Sequence, residues 1–123
     1  MRLGFFFVGV YALSHMSKLP HYLRSERKRA SLTQTDVTAL FGNESASKIS
    51  RYERGTRLPT LKTALAYEVI FGRPVADLFS GTYRKERATV VQHARKLAGK
   101  AIAGRKPSFL ARRRESLDNI SSR

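Results

Sequence analysis

The sequence predicts an all-α fold, with five short helices forming one domain, an additional helix after it and a basic tail. Three observations carry that prediction. Between positions 20 and 81 apolar residues recur three and four apart, the spacing of a helix face, and nowhere alternate as in a half-buried strand. Helix-opening and helix-closing residues punctuate the same stretch at short intervals. The chain of 123 residues has no cysteine and only three histidines (His15, His21 and His93) without a ligand-like spacing. Neither a disulfide framework nor a thiolate metal site is therefore available, and helix packing has to hold the fold.

The elements follow in order. Pro20 suits a first helical turn, after which Leu23 and Arg27 share one face. Thr33 reads as an N-cap ahead of Gln34-Thr35-Asp36, with Val37, Leu40 and Phe41 at i, i+3 and i+4 as the inward positions of a second helix. Gly42-Asn43 is a turn, because both residue types tolerate left-handed backbone angles. Glu44 or Ser45 opens a third helix, Ile49 and Tyr52 face inward from it, and Gly55 ends it. Pro59-Thr60 begins a fourth, with Leu61, Leu65, Tyr67, Val69 and Ile70 as its apolar positions. Gly72-Arg73-Pro74 breaks that helix, and Val75, Leu78 and Phe79 pin a short fifth one.

Charge and hydropathy divide the chain into four segments: 1–18, 19–81, 82–103 and 104–123. Residues 1–18 contain an apolar run of eleven residues from Leu3 to Leu13, short of the ~20 that a membrane-spanning helix needs. The run resembles a signal peptide, yet Ala12-Leu13-Ser14 is a poor cleavage site. Met16 is favoured as the true start; an apolar extension packing on the domain and a signal or anchor are the alternatives. Residues 83–102 read as a charged helix with a narrow apolar stripe of Val90, Val91, Ala94, Leu97, Ala98 and Ala101. The Arg/Ser-rich segment after Pro107 reads as a disordered arm. Net charge is +15, but residues 19–81 hold ten cations against six acids, while residues 82–123 hold twelve against three. Such an excess points to a polyanionic partner through release of phosphate counterions.

The segment Leu32–Gly55, LTQTDVTALFGNESASKISRYERG, is the most specific part of the chain. With its flanks it resembles the Cro/phage-repressor type of helix-turn-helix, the XRE family, whose pattern runs LRxxR…LTQxxLAxxLG…SxxxISRxERG…P. The matches are Leu23, Arg24, Arg27, Leu32, Thr33, Gln34, Leu40, Gly42, Ile49, Ser50, Arg51, Glu53, Arg54, Gly55 and Pro59. Downstream, ALAYEVIFGRPVADLF is similar to the family's closing helices. One departure is visible: Gly42 to Ile49 is seven positions rather than six, so an extra residue sits at Asn43 or Glu44. The resemblance implies a five-helix lambda-repressor-like domain that docks its third helix into the major groove of double-stranded DNA. It implies base contacts from Ala46, Ser47, Lys48 and Arg51. Arg51 is the best single candidate, since guanidinium pairs bidentately with guanine O6 and N7; a phosphate contact is its alternative. Gln34, Ser45, Arg54 and Arg57 are the expected phosphate contacts, which position a domain without reading sequence. Arg27 and Glu53 are expected as a partly buried structural ion pair.

Family members bind palindromes as homodimers, and Val91, Ala94, Leu97 and Ala98 are the candidate dimer surface, unless that stripe packs on its own domain. The function expected is a sequence-specific transcriptional regulator, a repressor of bacterial or phage type acting in the cytoplasm on the nucleoid. The alternative is an antitoxin-like module that adds a protein partner through residues 82–123. No cofactor, metal or membrane is expected, and an enzyme is the weakest class. The chain offers no nucleophile–base pair, no phosphate-cradling glycine motif and no carboxylate cluster.

Overall fold

The computed structural model describes residues 21–123, so the readings of residues 1–18 and of Pro20 lie outside the described residues. Seven helices and no strand occur among them: α1 (Leu23–Arg29), α2 (Gln34–Leu40), α3 (Ala46–Arg54), α4 (Leu61–Phe71), α5 (Val75–Leu78), α6 (Ser80–Ala98) and α7 (Pro107–Ser121). The all-α expectation holds.

Local chemistry sets the first boundaries. At the start of α2 the Asp36 N–H donates to the Thr33 hydroxyl (3.0 Å), and the Thr33 N–H donates back to the Asp36 carboxylate (2.8 Å). This reciprocal cap satisfies two helix-end donors at once, and it holds the Asp36 carboxyl below the usual range. Between α2 and α3, Gly42 (φ +78°) and Asn43 (φ +67°) are both left-handed. The Asn43 and Glu44 N–H groups both donate to the Thr38 carbonyl, at 2.8 and 3.2 Å. Both residues suit this turn, asparagine being among the few side chains that tolerate the left-handed region. Ser45 becomes the N-cap of α3, and a left-handed Gly55 (φ +72°) closes it.

The core of the first unit gathers Leu23, Val37, Ile49, Tyr52, Ala64, Tyr67, Leu78 and Phe79, with Leu32, Phe41, Phe71 and Val75 packed around them. Tyr67 is its hub: it meets Phe41 edge-on at 4.8 Å and stacks on Phe71 at 5.8 Å. Two sequence expectations are corrected. Leu40 is exposed, so α2 enters the core through Val37 and Phe41 only. On α4 the inward face is Ala64 and Tyr67, while Leu61, Leu65 and Val69 are exposed, Val69 by 83%. The helix is apolar on nearly every side, so periodicity alone cannot choose its buried face. A small residue, Ala64, occupies the inward position, and the larger leucines line the opposite side.

The Tyr67 hydroxyl is buried and has no hydrogen-bond partner among the described residues. Burial pushes its phenol up, and the Glu53 charge adds to this. A buried hydroxyl without a partner costs about 1–3 kcal/mol of desolvation. Tyr67→Phe is therefore expected to leave thermal stability unchanged or raise it by about 1 kcal/mol. A loss of more than that in thermal melts would show that the hydroxyl is satisfied.

The second unit, residues 83–123, is a helical hairpin. The Arg113 guanidinium donates to the carbonyls of Leu97 (3.2 Å) and Lys100 (3.5 Å), and Arg95 donates to that of Ser121 (3.5 Å). These bonds run α7 antiparallel to α6. Ala94 and Leu117 are buried, while Val91, Leu110 and Ile120 are half-buried. Two expectations change here. Residues 107–121, read as a disordered arm, are helical: Pro107 sits in the first turn, and Leu110, Leu117 and Ile120 form a stripe that the intervening arginines conceal in the sequence. The stripe offered as a dimer surface is divided, with Ala94 and part of Val91 used inside the hairpin and Leu97 and Ala98 left exposed.

Candidate nucleic-acid interface

α3 is nine residues long, and its two sides differ sharply. Ile49 and Tyr52 anchor it in the core. At 3.6 residues per turn, Ala46, Ser47, Arg51 and Arg54 fall on the other side, where Ala46, Ser47 and Arg51 are exposed and Arg54 reaches solvent at the end of the helix. Ser50 lies on the same arc and is half-buried. It was legible as an outward residue but was not among the expected base contacts; a helical wheel centred on Ile49 and Tyr52 finds it. The helix opens without a side-chain cap, because the Ser45 hydroxyl is bonded to that of Ser47 (2.7 Å) instead. Its first-turn N–H groups keep their capacity to meet an anion.

The expected contacts do not all converge. Arg51 makes no side-chain bond among the described residues, so its fork is free to meet an acceptor pair. Arg54 makes only a long bond to the Ser50 carbonyl (3.4 Å). Lys48 lies on the flank of α3 and pairs with Glu44 at 3.3 Å, so part of its charge is already answered. Arg57 stands with Lys48 and Lys62 around a shallow groove beside Thr60 and Thr63. Lys62 is a cation the sequence reading passed over, since an isolated lysine on a helix carries no signal of its own.

Beneath this face lies a network that fixes α1, α2 and α3 to one another. The Arg27 Nε donates to Glu53 Oε2 at 2.6 Å and its Nη2 to Oε1 at 3.1 Å, while Nη1 donates to the Leu32 carbonyl at 2.9 Å. The Gln34 Nε2 donates to the same Glu53 Oε1 at 3.1 Å. The side chains of Arg27 and Glu53 are 11% and 4% exposed, and the Glu53 carboxylate holds the Arg27 guanidinium above its ordinary value. Gln34, expected as a phosphate contact, thus spends one of its two amide N–H bonds on the scaffold and keeps the other. A second tie was not legible: buried Glu26 accepts from Arg73 at 2.6 Å, joining α1 to the turn before α5. The two residues lie 47 positions apart, and no spacing rule links them.

Among the described residues there is no group of three or more His, Cys, Asp or Glu able to hold a metal ion, and no helix is long and apolar enough to cross a membrane. Residues 23–78 match the family model described as helix-turn-helix. No curated protein and no solved structure matches the chain.

Proposed function

We propose that residues 23–78, which match the helix-turn-helix family model, are a DNA-binding domain of the Cro/phage-repressor type, and that the chain is a sequence-specific transcriptional regulator, a repressor of bacterial or phage type acting on the nucleoid. The observation that carries this reading is the division of α3 into a core-anchored side and an outward side holding Ala46, Ser47, Ser50 and Arg51. A helix held rigidly from behind, with short side chains and one arginine in front, fits the floor of a major groove. Ser47 offers a donor and an acceptor, Ala46 a methyl contact to thymine, and Arg51 a bidentate fork for guanine. Lys48, on the flank, serves where its pair with Glu44 opens. Ser45, Arg54, Arg57 and the second amide N–H of Gln34 supply phosphate contacts that set the register.

The regulator acts as a homodimer. Leu61, Leu65 and Val69 form an exposed apolar stripe along one side of α4, away from the core, which gives a second copy a surface to cover. Selection from a random duplex pool with the full chain tests both statements. The enriched motif is expected to be an inverted repeat with half-sites about one helical turn apart. A motif without the repeat would remove the dimer. No motif at all would remove sequence-specific regulation.

A further inference from the structure

We propose that the α6–α7 hairpin is a second DNA-contacting surface, which binds the phosphates of duplex DNA without reading sequence. It rests on the function proposed above for its ligand alone, and otherwise on the placement of charge. Between Glu86 and Glu115 the chain has nine cations and no acid. The hairpin folds that stretch back on itself. Its turn end, residues 97–114, therefore collects Lys100, Arg105, Lys106, Arg112, Arg113 and Arg114 without a carboxylate. All four ion pairs among the described residues lie between Glu26 and Arg73, so none relieves this end.

The six cations have different tasks. Arg113 is half-buried and spent on the carbonyls of Leu97, in the last turn of α6, and of Lys100, just beyond it, where it also answers the negative end of that helix. The other five are exposed. Like charges gathered this closely repel one another and weaken the compact state unless a polyanion offsets them. Arg105, Lys106 and Arg112 share a shallow pocket with Ser108, and the Arg105 guanidinium lies 4.8 Å above the Phe109 ring. The ring face attracts the cation, and the Arg105 side chain makes no hydrogen bond among the described residues, so its N–H groups stay available for phosphate oxygens. The scarcity of aromatics favours duplex over single strands. Single-strand binding uses successive aromatic platforms for bases, and this end of the hairpin offers one aromatic, Phe109, with Arg105 over one face of it.

The test uses the full chain and a fluorescently labelled duplex of random sequence, with affinity measured by anisotropy across a salt series. The variant Arg105→Gln/Lys106→Gln/Arg112→Gln keeps Arg113 and hence the hairpin, which circular dichroism verifies. Its slope of log affinity against log salt is expected to be shallower than that of wild type by about 2 to 3 units, at about 0.9 for each phosphate that is no longer neutralised. A second variant, Lys100→Gln/Lys106→Gln/Arg114→Gln, is expected to give the same change without touching the stacked arginine. An unchanged slope in both variants, or tighter binding of the corresponding single-stranded RNA than of the duplex, overturns the proposal. Failure of the α3 reading looks different: sequence preference is absent while the slope on random duplex still falls in the variants.

Discussion

Replacing Glu53 with glutamine is expected to lower the stability of the helix-turn-helix domain by about 3 kcal/mol, the largest single effect foreseen in this protein. Glu53 is the acceptor on which α1, α2 and α3 converge, taking two bonds from Arg27 and one from Gln34. Removing its charge leaves the Arg27 guanidinium, 11% exposed, without a counter-ion. Breaking one side of a buried pair costs about 3–5 kcal/mol, mostly because the surviving charge stays desolvated. The lower end applies because Arg27 keeps its bond to the Leu32 carbonyl. In thermal melts this is a fall of roughly 12 °C or more, at 4–8 °C per kcal/mol for a domain of this size. The double variant Arg27→Met/Glu53→Leu is expected to recover most of the loss, since it leaves no orphan charge. A single-variant effect below about 1 kcal/mol would place the pair with ordinary surface ion pairs.

The second large effect is on recognition. Arg51→Ala is expected to cost about 1–3 kcal/mol of discrimination at one guanine of the site, a factor of roughly 5 to 150 at 1.4 kcal/mol per tenfold. Arg51 is exposed on α3 and lies outside the Arg27–Glu53–Gln34 network, so melting temperature should not move. The competing role, a phosphate contact, has another signature. It weakens binding alike on every sequence and lowers the salt slope by about 1. Measuring wild type and variant on the selected site, and on the same site with that guanine replaced, separates the two.

Much of the first unit was legible because its signals are local. Thr33 and Asp36 announce the start of α2, Gly42-Asn43 the turn, Gly55 the end of α3, and Thr60 the cap of α4, which accepts from the Thr63 N–H. The outward side of α3 follows from Ile49 and Tyr52 by helical periodicity alone. What escaped was tertiary choice. The sequence of α4 is apolar on both sides, so only packing reveals that Ala64 and Tyr67 turn inward and that Leu61, Leu65 and Val69 do not. α7 escaped for the opposite reason: its inward stripe is sparse, and one inward position is Arg113, whose use as a cap at the end of α6 exists only once the hairpin has formed. Gln34 shows a third limit. The resemblance implies a phosphate contact for it, and no sequence signal shows that one of its N–H groups also serves Glu53.

In the proposed complex α3 faces the floor of the major groove with Arg51 at a guanine. Methylation interference on the selected duplex tests it directly, because dimethyl sulfate marks guanine N7 in the major groove and adenine N3 in the minor groove. The predicted result is interference at a guanine N7 with wild-type protein, lost at that base with Arg51→Ala. Interference confined to adenine N3, or a guanine N7 signal untouched by the substitution, would contradict it.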